Sequence, residues 1–163
     1  MASNNKTECT MPGTCVWGAG RVALVTGGAR RVGRLITLAL HRHHYNVIIH
    51  CCSSKLLALE LAAELNSCRQ DSAHVITGDL SQNVGETTRR MVTEAEQKTR
   101  NINLGGGVDH TQAAAPHLQK VRGNIVNVAD ILAERPTSTL NIYCTTKATL
   151  IMITKSLAIE LGP

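Results

Sequence analysis

The chain opens its regular patterning at residues 22–26, "VALVT", an unbroken apolar run that ends on Gly27-Gly28. A short run of this kind, bounded by a turn, predicts a strand buried on both faces. From Arg31 to Tyr45 the period lengthens. Val32, Ile36 and Leu40 repeat every four residues, flanked by Leu35 and Ala39, which predicts a helix. "NVIIH" (46–50) predicts a second strand. Leu57, Leu61 and Leu65 predict a second amphipathic helix, with Glu60 and Glu64 on its wet face. "AHVITGDL" (73–80) predicts a third strand running into a polar turn. The order β-α-β-α-β is the first half of a doubly wound nucleotide fold.

Beyond residue 80 the pattern loosens. Residues 85–100 predict a helix carried by Met91, Val92 and Ala95. "NINLGGGVDH" (101–110) offers at most a stub of strand before three glycines, and "TQAAAPHLQK" (111–120) predicts a helical end interrupted by Pro116. "GNIVNVA" (123–129) predicts another strand. "NIYCTTKATLIMITKSLAIELGP" predicts a long helix stopped by Gly162-Pro163. The expected fold is therefore an α/β, Rossmann-type doubly wound parallel sheet with helices on both faces. It is incomplete, with a damaged fourth strand and no C-terminal strands. The expected division is a flexible leader over residues 1–20 and a partial dinucleotide-binding domain over 21–163.

Composition sharpens this picture in three ways. With no Phe, one Trp and two Tyr, the core must rest on Leu, Ile, Val and Ala. The net charge of +5 suits a phosphate-bearing partner, and Arg30, Arg31 and Arg34 cluster beside the glycines. The run His41-Arg42-His43-His44 reads better as cations near a helix C-terminus, which the dipole favours. Nucleic acid is an unsuited partner, because no stacking aromatics are interleaved with these charges. The six cysteines form no C-x-x-C pair and no metal-ligand rhythm, so no metal site is expected. They are expected as free thiols in a reducing, cytoplasmic setting, and no apolar run reaches membrane-spanning length.

Two motifs carry chemistry. The turn Thr26-Gly27-Gly28-Ala29-Arg30-Arg31-Val32-Gly33 lies between a strand and a helix. Glycines there let the backbone approach a pyrophosphate, and the helix N-terminus adds N–H donors. A plain tight turn has the same composition, so the β-α-β-α-β setting is what gives the motif weight. Further on, Tyr143 stands four residues before Lys147, one helical turn apart on one face. A phenol beside an ammonium is a proton donor whose pKa the cation is expected to lower.

Taken together, the glycine turn and the Tyr143–Lys147 pair resemble the short-chain dehydrogenase/reductase family, and within it the pteridine reductases. "TGGARRVG" has arginine at Arg31 where most relatives have glycine, and Asp130, at the end of "NIVNVAD", stands where most have a catalytic serine. "NVIIH", "GDLS" (78–81) and "KSLAIELGP" match as well. The resemblance implies NADPH in the cleft at the strand ends. Gly27, Arg30, Arg31 and Gly33 would hold its phosphates. His50, Ser53 and Ser54 would lie near the adenosine ribose phosphate, and Asp79, Leu80 and Ser81 would border the adenine. Lys147 would bind the nicotinamide ribose. Tyr143, assisted by Asp130, would relay a proton to a pterin ring nitrogen.

The chain also departs from that pattern. "HCCSS" (50–54) lacks the family's arginine, "NLGGGVDH" replaces an Asn-Asn-Ala segment, and no Phe exists to stack on a pterin. Much of the family's dimer helix is missing. Two readings follow: an NADPH-dependent pterin reductase, or a silent, truncated relative that binds nucleotide weakly or pairs with a full-length homologue. The expected partners are a pterin-like small molecule and either a second copy or such a homologue.

Overall fold

The computed structural model describes residues 17–82, 84–98, 102–105 and 108–162. Four parallel strands form one sheet: β1 (Val22–Val25), β2 (Asn46–Cys51), β3 (Ala73–Thr77) and β4 (Ile102–Gly105), in the order β3-β2-β1-β4. Helices follow each strand: α1 (Arg31–Arg42), α2 (Lys55–Cys68), α3 (Val84–Lys98) and α4 (Val108–Val121). A short 3₁₀ turn (Ile131–Ala133) precedes the long α5 (Asn141–Leu161). No helix among the described residues is long and apolar enough to cross a membrane.

Alternation along the strands builds two cores. Val22, Leu24, Ile48 and Ile76 point to one face, where Met91 of α3 and Ala114 and Leu118 of α4 cover them. Val47, Ile49, Cys51 and Ala73 point to the other, under Ala58, Leu61, Ala62 and Leu65 of α2. Helices on both faces of a parallel sheet are the doubly wound arrangement the pattern predicts.

The fourth strand is less damaged than the three glycines suggest. β4 pairs with the whole of β1, from Val22 opposite Ile102 to Val25 opposite Gly105. α4 runs through Pro116, which removes one helical hydrogen bond without ending the helix.

The expected strand at 123–129 is the opposite case. Only Ile125 forms a bridge, packed against the β1 core, while Val126 and Val128 are exposed. An apolar run becomes a strand only where a partner satisfies its backbone, and here the pairing stops at one residue. In α5 only Cys144 and Leu157 are buried, and Ile142, Met152 and Ile159 face outward.

The expected apolar stripe of α1 is also displaced. Val32 and Leu35 are exposed, and the buried positions are Thr37 and His41. Gly33, Thr37 and His41 recur every fourth residue on the inward side, and of the expected stripe only Leu40 packs, with Leu38, against the core beside them. Thr37 Oγ1 donates to the carbonyls of Gly28 and Gly33. His41 Nε2 lies 2.7 Å from Ser72 Oγ. Arg69 ties this end of the sheet together through the carbonyl oxygens of Tyr45 and His41.

Of the expected leader, residues 17–20 are described, and they are docked. Trp17 stacks on His43, and Gly18 N–H donates to the His43 carbonyl. Residues 1–16 lie outside the described residues. Cys51, Cys52 and Cys144 are free thiols as expected, but Cys68 is disulfide-bonded, which departs from that expectation.

Candidate functional site

In a parallel sheet all strands end at one edge, so the turns after β1, β2 and β3 share it. The glycine turn leaves β1 with Gly27 at φ +63°, a left-handed conformation natural to glycine. A side chain built on Gly27 would point into open space, so the backbone there is approachable. At Gly33 an added Cβ would stand 2.2 Å from the Gly27 carbonyl oxygen. That glycine lets α1 begin directly against the turn.

Arg30 caps α1 in an extended conformation, and Arg31 opens the helix at φ +47°. Both are exposed and, with Arg34, line a groove of about 410 Å³ between α1 and α2. Arg34 is partly neutralised there by Glu64 at 3.1 Å. An open glycine backbone flanked by two exposed guanidinium groups fits the phosphates of a dinucleotide.

The residues expected around the adenosine fall into two groups. Ser53 is exposed and Ser54 precedes α2 as its N-cap residue, without a side-chain capping bond. Asp79 accepts from the backbone N–H of Ser81 at 2.9 Å and from its hydroxyl at 2.6 Å, which holds the carboxyl below its usual range. Leu80 packs against the core. His50, by contrast, is buried at 3 % exposure, with Nε2 3.0 Å from the Gly78 carbonyl and Nδ1 accepting from Gly27 N–H. The structure brings it beneath the glycine turn and not to an open phosphate site.

The second cluster forms where the segment after Ile125 meets α5. Tyr143 Oη donates to Asp130 Oδ2 at 3.0 Å. Asp130 Oδ1 accepts from Leu132 N–H at 2.9 Å and so caps the 3₁₀ turn. Lys147 Nζ donates to the Val128 carbonyl at 2.9 Å and lies 5.8 Å from the Tyr143 ring centre. Deeper in, Asn127 Nδ2 donates to Thr154 Oγ1 at 2.9 Å, holding the segment to α5.

Electrostatics at this cluster correct one expectation. The Leu132 N–H and then the Tyr143 hydroxyl hold the Asp130 carboxyl below its usual range. The same carboxylate, accepting the phenol proton, pushes the Tyr143 pKa up. The expected lowering by Lys147 does not occur, because the anion in direct contact outweighs a cation engaged with a backbone carbonyl. Tyr143 is thus held as a neutral phenol, a proton donor. Among the described residues no group of His, Cys, Asp or Glu can hold a metal ion.

Comparison with known proteins agrees with this geometry. Residues 21–102 match the family model described as short chain dehydrogenase, and residues 73–163 match that described as enoyl-(acyl carrier protein) reductase. L-xylulose reductase of Cavia porcellus is 30% identical over 165 residues, covering 89% of this chain and 67% of the relative. D-erythrulose reductase of Gallus gallus is 26% identical over 163 residues, covering 88% of this chain and 66% of the relative. Pteridine reductase 1 of Leishmania tarentolae is 48% identical, but over 60 residues that cover 37% of this chain and 21% of the relative. The likeness to a pteridine reductase is thus local, whereas the likeness to the sugar reductases spans nearly the whole chain. With its parallel sheet, open glycine turn and Tyr143–Lys147 pair, the chain belongs to the short-chain dehydrogenase family.

Proposed function

We propose that the chain is an NADPH-dependent oxidoreductase that reduces a pterin. The observation that carries the reading is the Tyr143–Asp130 hydrogen bond, with Lys147 anchored beside it. Gly27, Arg30, Arg31 and Gly33 would hold the phosphates of the cofactor, which supplies hydride when bound. The charge of Arg30 and Arg31 favours the more anionic, phosphorylated dinucleotide. Ser53 and Ser54, and Asp79 to Ser81, would border its adenosine end, and Lys147 its nicotinamide ribose.

The proton chemistry follows from the side chains. Reduction of a ring C=N leaves negative charge on nitrogen, and the neutral Tyr143 phenol supplies a proton to it. The Asp130 carboxylate accepts hydrogen bonds and cannot donate one in its charged form. It suits a substrate that brings its own N–H groups, as a pterin does. A sugar ketone develops an oxyanion, and a carboxylate beside that oxyanion opposes it.

A second reading, reduction of a sugar carbonyl, is favoured by the near full-length match to L-xylulose reductase. Turnover separates the two. Purified chain is mixed with NADPH and either a dihydropterin or L-xylulose, and cofactor oxidation is followed by absorbance. Pterin-dependent oxidation supports the proposal. Oxidation driven by L-xylulose alone would replace it with the sugar reading. The outward Ile142, Met152 and Ile159 of α5 support association with a second copy or a longer homologue, which light scattering would detect.

A further inference from the structure

His50 is buried at the end of β2, and each of its ring nitrogens meets a backbone group from a different loop. Gly27 N–H donates to Nδ1 at 3.4 Å, and Nε2 lies 3.0 Å from the carbonyl oxygen of Gly78. A carbonyl oxygen only accepts, so Nε2 carries the proton; an N–H only donates, so Nδ1 carries none. One neutral tautomer satisfies both contacts, and a proton on Nδ1 would set N–H against N–H. The main chain of the same residue joins in. Gly28 N–H donates to the His50 carbonyl at 3.0 Å, and Gly78 N–H to that of Cys51 at 3.1 Å. His50 therefore ties the turn after β1 to the turn after β3.

We propose that His50 is a positioning residue whose Nε2–H tautomer fixes the glycine turn in the shape that admits a dinucleotide phosphate. This rests on the cofactor reading given above. The sequence resemblance puts His50 near the adenosine ribose phosphate; with the ring buried and both nitrogens engaged, it acts on the turn instead. Gly27 is the residue with φ +63° and open space on its outer side. Its amide faces the histidine, so the shape of the turn depends on that ring. Ring and turn together form one unit across the ends of three strands.

The test uses the full chain. Imidazole ¹⁵N NMR of the unsubstituted protein is expected to show His50 with Nδ1 unprotonated, and amide exchange is expected to show Gly27 protected. His50→Leu removes both ring hydrogen bonds; the loss of the one to Gly27, of ordinary strength, should weaken NADPH binding about tenfold and speed Gly27 exchange by a similar factor. His50→Gln, which keeps one acceptor and one donor, should recover part of both. An Nδ1–H tautomer, or an unprotected Gly27 amide, would overturn the proposal whether or not the variants fold. So would a His50→Leu protein that binds NADPH as the unsubstituted chain does. Failure of the unsubstituted chain to bind NADPH, with Gly27 still protected and the tautomer as stated, would overturn the cofactor reading and not the tie between the two turns.

Discussion

Tyr143 donates its hydroxyl to Asp130, 3.0 Å from Oη to Oδ2, and that bond is the first cause of the raised phenol pKa and, after the Leu132 N–H, the second of the lowered carboxyl pKa. The carboxyl is held below its usual range and the phenol above its own. Tyr143, near the start of α5, is exposed, and Asp130 is half-buried.

Removing the carboxylate charge should therefore release the phenol. In Asp130→Asn the Tyr143 pKa is expected to fall back toward the ordinary tyrosine value, because its principal cause of elevation is gone. Ultraviolet titration of tyrosinate, compared between Asp130→Asn and the unsubstituted chain, reads this. A titration curve identical to that of the unsubstituted chain would mean that the bond does not control the phenol.

Gly33→Val tests the architecture of the turn. Its Cβ would press on the Gly27 carbonyl oxygen at 2.2 Å, a backbone contact that no rotamer change relieves. The fold should lose roughly 1–3 kcal/mol, as overpacked positions do, and dinucleotide binding should go with it. Denaturant midpoints and calorimetric titration with NADPH measure the two effects. Full retention of both would show that α1 can shift away from the turn without consequence.

Thr37 lies on the same helix face and is fully buried. Its hydroxyl is shared between the carbonyls of Gly28 and Gly33, at 3.2 and 2.9 Å. Thr37→Val keeps the shape and leaves these acceptors short of a donor, at a cost of about 1–3 kcal/mol. Chemical denaturation should show it, and an unchanged midpoint would mean that water replaces the hydroxyl.

The acid limb of the stability curve should carry the mark of His41. Its pKa is lowered from 6.5 to about 4, first by burial and then by Arg69 and His44. The unfolded chain takes up this proton near its ordinary value, and the folded chain only well below it. The stabilising contribution is thus complete above pH 6.5 and is lost progressively as pH falls toward about 4. It amounts to at most about 3 kcal/mol by linkage. His41→Gln should flatten stability against pH across that window, and a slope unchanged by the substitution would contradict the assignment.

Much of this molecule is legible in its residues. The β-α-β-α-β order follows from where apolar runs change period, because a strand buried on both faces and an amphipathic helix leave different traces. The face of α1 does not follow, because Gly33, Thr37 and His41 are small or polar and find partners in backbone and Ser72. A periodicity count sees polarity and not those partners. Residues 123–129 read as a strand because they are apolar and β-branched, yet pairing is a non-local property, and only Ile125 finds a bridge. At the site, the four-residue step from Tyr143 to Lys147 announces a cation beside a phenol. The sign of the pKa shift is set by Asp130, thirteen residues upstream, whose contact appears only once the chain folds.

The proposed protonation by Tyr143 of a substrate that receives hydride from NADPH is tested by isotope transfer. The chain is incubated with a dihydropterin and NADPH carrying deuterium at the transferred position, and the product is examined by mass spectrometry. One deuterium should appear in the reduced pterin with the unsubstituted chain, and the rate should fall by at least about a hundredfold in Tyr143→Phe, which loses its general acid. An unlabelled pterin, or a labelling rate indifferent to Tyr143→Phe, would contradict the account.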